Sequence, residues 1–281
     1  MNRIRRVTRK NIAISLGAVA SVAVMMAFLL PYLNMALTSL KPPQEVFTVP
    51  PYFLPSRLSI RNYFRMIEYL PFGLYLRNSL IVTIVSTILS TAIGTMGGYS
   101  FARYGFPLRK MLLLLTMLTK MIPLIVIGVP VYLLMRSLHL GDTLAGLILV
   151  YTSVNLPFVI WLMTGFFAGL PREMEEAGLI DGCGRLGIFA RIIIPIAAPG
   201  VATTAIFSFM FGWNEFLFAL LLTATKAKTM PVGISEFITV FSIEWGPMSA
   251  TAVCFTIPIL IFSLFVQRHI VTGMTLGAVK G

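Results

Sequence analysis

The chain reads as an all-α integral membrane protein with six spanning helices, and three observations lead there. Hydrophobic residues make up 57% of its 281 residues and charged residues 11%, with a mean hydropathy of +0.89. That is more apolar surface than a soluble core of this length hides, so lipid must solvate most of it. Apolar runs long enough to cross about 30 Å of hydrocarbon, which takes roughly 20 residues, recur six times. Lysine and arginine are distributed over the loops between those runs, as in a multi-pass protein.

The first run, 12–37, follows Arg3, Arg5, Arg6, Arg9 and Lys10. This basic lead resembles that of a cleavable signal peptide, but the run is too long for one and no small-x-small site closes it, so it reads as a signal anchor behind a cytoplasmic N-terminus, 1–11. Pro42, Pro43, Pro50, Pro51, Pro55 and Pro71 make 41–77 an extended outer loop with short helical turns around 62–68. It either docks a soluble partner or covers span ends. The second and third runs are 80–99 and 111–134, and a tight outer turn, 136–142, leads to the fourth, 143–167. The fifth and sixth, 200–223 and 249–267, flank an outer loop, 224–247, which either reaches something above the membrane or lies re-entrant at its surface. Residues 12–267 thus form one spanning domain, and 268–281 a cytoplasmic tail.

A cytoplasmic N-terminus places Arg103, Arg109, Lys110, Arg172, Arg185, Arg191, Arg268 and Lys280 inside as well. Lys41, Arg57, Arg61, Arg65, Arg77, Arg136, Lys226 and Lys228 fall outside, mostly in one long loop where charge orients poorly. Both termini are therefore expected in the cytoplasm. The net charge of +12 suits this topology and anionic lipid, and its spread over every loop argues against a nucleic-acid partner. Cys183 and Cys254 cannot pair across the topology, and His139 and His269 fall on opposite sides, so neither a metal framework nor a histidine-based catalytic pair is implied. The dipeptide Gly-Lys is absent from the sequence, which removes a phosphate-cradling loop of the G-x-x-x-x-G-K type. If nucleoside triphosphate drives this protein, another chain hydrolyses it.

Between the fourth and fifth runs lies 171–199, the most patterned segment of the chain. Pro171 suits a first helical position, and Glu173, Glu175 and Glu176 place negative charge where the helix dipole favours it by about 0.3–1 kcal/mol each. Ala177 and Gly178 allow close approach to a foreign surface, Gly182 and Gly184 permit a reversal, and 185–194 reads as a second short helix ended by Pro195 and Pro199. A hairpin lying on lipid would carry lysine and arginine on its polar face, whereas the first helix is acidic. The pattern favours a protein partner.

Glu176-Ala177-Gly178, Asp181-Gly182 and Ile192-Ile193-Ile194-Pro195 resemble the EAA signature of permease subunits from ATP-binding-cassette (ABC) importers, E-A-A, three residues, G, nine residues, I-x-L-P. Gly178 stands for the second alanine, Ile194 for leucine, and Cys183 for a common alanine. The likeness extends over nearly the whole chain through Lys41-Pro42-Pro43, Gly98 to Arg103, Trp213-Asn214-Glu215 and Gln267-Arg268 with Gly273 to Gly281, and it is of the maltose-transporter type. The resemblance implies a type I ABC importer permease fold in a bacterial cytoplasmic membrane. It also implies a non-catalytic subunit that binds no cofactor itself and works by alternating access, importing a di- or oligosaccharide. Implied partners are a second, homologous permease in a heterodimer, two ATPase subunits holding ATP and Mg, and an extracytoplasmic solute-binding protein. Glu175, Glu176, Ala177, Gly178, Asp181, Gly182, Ile192 and Pro195 would carry ATPase coupling, 224–247 would probe the binding protein, and 273–281 would reach the ATPase.

Lys120 and Glu215 sit inside apolar runs, where a charge costs at least about 2.5–3.5 kcal/mol on insertion. Either they line a translocation path with Asn155 and Asn214, or they neutralise each other or a partner subunit. A path-facing Lys120 would suit an acidic sugar or sugar phosphate. Tyr99, Tyr151, Trp161 and Trp213 either stack on sugar rings or serve packing and interfacial anchoring. A stand-alone secondary carrier is the alternative from another class; Pro123, Pro130 and Pro157 could break helices as carriers require, but no paired repeat is visible.

Overall fold

A computed structural model describes the backbone of residues 2–50, 52–240 and 242–278, and the side chains of 15, 17–50, 52–240 and 242–264. Helices dominate: α1 (Asn2–Ser39), α2 (Arg61–Tyr69), α3 (Phe72–Arg103), α4 (Arg109–Met121), α5 (Leu124–Ser137), α6 (Leu144–Ala168) and α7 (Glu173–Ile180) come first. Then follow α8 (Arg185–Ile188), a π turn (Phe189–Ile193), α9 (Ile194–Trp213), α10 (Leu217–Leu222), α11 (Met230–Ser235) and α12 (Trp245–Ala278). Among the described residues five helices are long and apolar enough to cross a membrane, and six spans result when the bent pair α4/α5 counts as one. The described residues include no strand beyond an isolated bridge between Ile238 and Ile243. The chain divides into two compact units, Met1–Leu70 with Ile234–Thr256, and Pro71–Gly233 with Ile257–Gly281.

The first unit is organised around Asn62. Buried on α2, its Nδ2 donates to the carbonyls of Ser39 at 3.0 Å and Lys41 at 2.8 Å, which receives the chain leaving α1. Gly246 leaves room for that amide, since a Cβ there would meet Asn62 Oδ1 at 2.5 Å. Arg65 pairs with Glu244 at 3.0 Å, Tyr69 stacks on Phe237, and Lys41 Nζ donates to the Tyr52 carbonyl at 2.7 Å. In the intervening loop Ser56 donates through backbone and side chain to Glu45, and these bonds hold the Glu45 carboxyl below its ordinary value.

The second unit is built on α3 and α6. Gly94 and Gly98 lie one turn apart on α3, and a Cβ at Gly98 would meet Met163 Cβ at 2.7 Å and the Thr164 nitrogen at 3.0 Å. Lipid gives helices little hydrophobic reason to associate, so close backbone approach at small residues holds such a pair together. Two apolar clusters lie along it. One contains Val82, Leu147, Val150, Phe218 and Leu222; the other contains Tyr99, Val159, Met163, Phe167 and Ile193. Val82 and Tyr99 are about 25 Å apart at the α-helical rise. Between them α3 turns a buried band of hydroxyls inward, including Ser86, Thr87, Ser90 and Thr91.

Three expectations change. The third run is not one helix: α4 and α5 meet at 97°, because Pro123 forces Ile122 into an extended conformation. Pro130 and Pro157 stay inside their helices. Pro195 and Pro199 do not end a short helix, since α8, the π turn and α9 form one span from Arg185 to Trp213. The Ile194 N–H bonds Phe189 five residues back, and this wider turn relieves the clash that Pro195 would make with the carbonyl four residues before it. The fifth span accordingly begins well before residue 200 and stops at Trp213, with α10 a separate short helix. Finally, the outer loop ends at Pro71 rather than Arg77, and α2 matches the helical turn expected around 62–68.

Candidate functional site

The patterned segment forms a knuckle beyond the ends of α3 and α6. Asp181 and Gly182 donate to the Ala177 and Leu179 carbonyls, Cys183 donates to Gly178, and Gly182 takes φ +77, a conformation that favours glycine. Gly178 is buried, and a Cβ there would meet Ile192 Cδ1 at 2.7 Å and Ile188 Cγ1 at 3.1 Å. The departure from alanine at this position therefore suits the close packing of α7 on α8 and the π turn. Ile192 supplies the opposing side chain, while Pro195 lies exposed within the continuing helix.

What the knuckle offers outward is apolar with an acidic edge. Ile180 is 86% exposed and Leu186 79%, with Met174 and Leu179 also exposed beside Glu176, Ala177 and Asp181. Glu175 differs from its neighbours by turning inward. Its carboxylate pairs with Arg103 Nε at 2.5 Å and accepts from the Tyr99 hydroxyl at 3.0 Å. A second Arg103 nitrogen donates to the Leu170 carbonyl at 3.0 Å.

The interior polar residues do not form one cluster of mutual contacts. Lys120 lies in the last turn of α4 beside the break, with Nζ 5.8 Å from the centroid of the Phe211 ring. It lines a mostly apolar cavity of about 280 Å³ with Thr119, Ser153, Pro157 and Phe218. Glu215 instead caps α10, its carboxylate accepting from the N–H groups of Phe218 at 2.8 Å and Ala219 at 3.1 Å. Lys120 and Glu215 make no ion pair with each other among the described residues. Asn155 is buried and donates to the Ser208 carbonyl, whereas Asn214 is exposed and donates to Met210.

Of the aromatic candidates, Tyr99, Tyr151 and Trp213 are buried in packing; Trp213 stacks on Phe209, and Tyr99 belongs to the knuckle end. Trp161 is 49% exposed. Sequence reasoning missed a second polar junction at the opposite end of α3. Asp142 accepts from the backbone N–H groups of Ala224, Thr225, Lys226 and Ala227. Burial pushes its carboxyl up, but these four donors outweigh that and hold it at about 2. Buried Asn78 donates to the carbonyls of Lys226 and Lys228, and Ser79 accepts from Met230. The start of the expected reaching loop is thus fastened down, while Ile238 and Val240 are exposed further along it. Asp142 showed in the sequence only as a turn residue, and nothing local named partners so distant along the chain.

Residues 94–275 match the model of the family described as the binding-protein-dependent transport system inner membrane component. The trehalose transport system permease protein of Mycobacterium tuberculosis is 39% identical, over 90% of this chain and 93% of that protein. The sulfoquinovosyl glycerol transport system permease protein of Agrobacterium fabrum is 35% identical, over 90% and 89%. A chain from the crystal structure of a bacterial ABC transporter involved in import of the acidic polysaccharide alginate superposes with a TM-score of 0.76 over 90% of this chain and 94% of that one, at 22% identity, so the two share a fold. Six apolar spans among the described residues, counting the bent pair as one, a motif-bearing knuckle between the fourth and fifth, and these likenesses together assign the chain to the inner membrane components of binding-protein-dependent transport systems.

Proposed function

We propose that this chain is one of two homologous permease subunits, paired as a heterodimer, in an ATP-driven importer that carries a di- or oligosaccharide inward by alternating access. The observation that carries the reading is the exposed apolar knuckle, Ile180 and Leu186 with their acidic edge, on a segment packed tightly enough to need glycine at position 178. A large apolar patch outside the lipid calls for a protein cover. The cover proposed is a cleft on each of two ATPase subunits, which hold ATP and Mg. A soluble protein delivers the sugar to the opposite side, and the carbohydrate class follows the trehalose and sulfoquinovosyl glycerol permeases among the relatives. The knuckle and both termini face the cytoplasm of a bacterial cell, as the basic residues at the span ends favour.

In this scheme the ATPase subunits close on ATP and draw the knuckle with them, through Glu176, Ala177, Asp181 and Gly182. Lys120, Asn155, Asn214 and Glu215 line or shape the path. A second reading, an acidic sugar or sugar phosphate as cargo, is favoured by Lys120, a cation that lines a cavity and makes no ion pair among the described residues. The test is co-purification and uptake. The tagged chain should retain an ATPase and a second permease, and vesicles holding the assembly with its binding protein should take up sugar only with ATP. Proton-driven uptake by the chain alone contradicts the proposal.

A further inference from the structure

Arg103, Tyr99 and Glu175 form a buried polar centre that belongs neither to the outward face of the knuckle nor to the path. Tyr99 and Arg103 are four residues apart on α3, so both project from one face of its last turn. Their donors converge on one carboxylate, Glu175 in the first turn of α7. The Arg103 guanidinium reaches the Leu170 carbonyl as well, just past the end of α6, which ties three elements with one rigid fork. The Tyr99 ring packs on Phe167 of α6, on Phe189 of the π turn and on Tyr104. The Arg103 side chain is 6% exposed and that of Glu175 18%. Removing either partner of a charge pair so buried leaves the other uncompensated, and such losses are severe.

The apolar contacts of α7 run differently. Through Gly178 they reach Ile188 and Ile192, residues downstream in its own segment. Its polar link to α3 and to the end of α6 passes through Glu175. A helix of eight residues held only by its own continuation would swing about the turns on either side, and displacement applied at Ile180 would be absorbed there.

We propose that Arg103, Tyr99 and Glu175 are positioning residues that fasten α7 to α3 and α6, so that displacement of the knuckle is delivered to the spans as motion of one body. Glu175 on this account is an internal latch and not a docking contact. The inference rests on the reading of α7 as the coupling helix, and its test separates the two.

The full chain, with Cys183→Ser and Cys254→Ser, is spin-labelled at exposed positions through Met96→Cys on α3 and Ile180→Cys on α7, and their separation is read by pulsed electron paramagnetic resonance. One narrow distance distribution is expected, at least about two-fold broader with Arg103→Ala or Glu175→Gln, and narrow again in the exchange Arg103→Glu with Glu175→Arg. Single variants as narrow as the parent overturn the latch, and so does an exchange that stays broad. Should the single variants not fold, Tyr99→Phe removes one hydrogen bond and leaves the ion pair; intermediate broadening supports the latch and an unchanged width contradicts it. In the complete transporter, Glu175→Gln should retain the ATPase yet lower uptake per ATP hydrolysed about ten-fold, with recovery in the exchange. Loss of the ATPase from the Glu175→Gln complex assigns this residue to docking and overturns the proposal. If the parent chain binds no ATPase, the coupling reading fails while the label distances still decide the latch.

Discussion

Asp142 shows how much one side chain organises. It gathers four backbone N–H groups from a segment more than 80 residues away, and the Asn78 and Ser79 side chains complete the junction. A carboxylate held at about 2 contributes stability that is present above its ordinary value near 3.8 and is lost as pH falls toward 2. Asp142→Asn, which removes the charge, should therefore lower stability by about 1–2 kcal/mol at neutral pH, an amount discounted for partial solvent exposure. Melting curves in detergent should show parent and variant converging between pH 4 and about 2; a gap that stays constant over that range removes the charge from the explanation. Lys120 yields a second prediction at this scale. If it meets cargo, Lys120→Met lowers uptake of anionic sugars and spares neutral ones, and equal effects on both exclude that role.

At the scale of helices, the α3/α6 contact is the point of least tolerance in the second unit. Gly98→Leu would drive a side chain into Met163 and the Thr164 backbone, so the folded yield from membranes should fall sharply, whereas the same change at exposed Gly165, where a Cβ would meet nothing within 4 Å beyond its own helix, should be neutral. Comparable yields for the two would contradict the close approach. Spans were legible in the sequence because hydropathy is a local property: five runs fall on long apolar helices of the described residues and the third on the bent pair α4/α5, though α3 and α9 start earlier than their apolar stretches. The motif of 171–199 was legible for the same reason, as a spacing within one segment. Its interior was not. Glu175 looks like Glu173 and Glu176 in sequence, and only folding turns it toward Arg103, while the π turn that keeps Pro195 inside a span depends on a shift in hydrogen-bond register that no composition shows. The bend at Pro123 was visible as a proline, but Pro130 and Pro157 carry the same signal without a break.

For the whole molecule, the proposed function joins lipid-solvated spans to a knuckle that would take up force from outside the chain. Ile180 separates folding from coupling cleanly, because at 86% exposure its side chain contributes little to stability and its replacement should leave melting unchanged within about 0.5 kcal/mol. The measurement is ATP-dependent sugar uptake into vesicles containing the complete transporter, with Ile180→Arg compared against the parent at equal folded protein. An unaltered melting temperature is expected, with uptake reduced to the level seen without ATP. Full uptake by Ile180→Arg, at parental uptake per ATP hydrolysed, would contradict it.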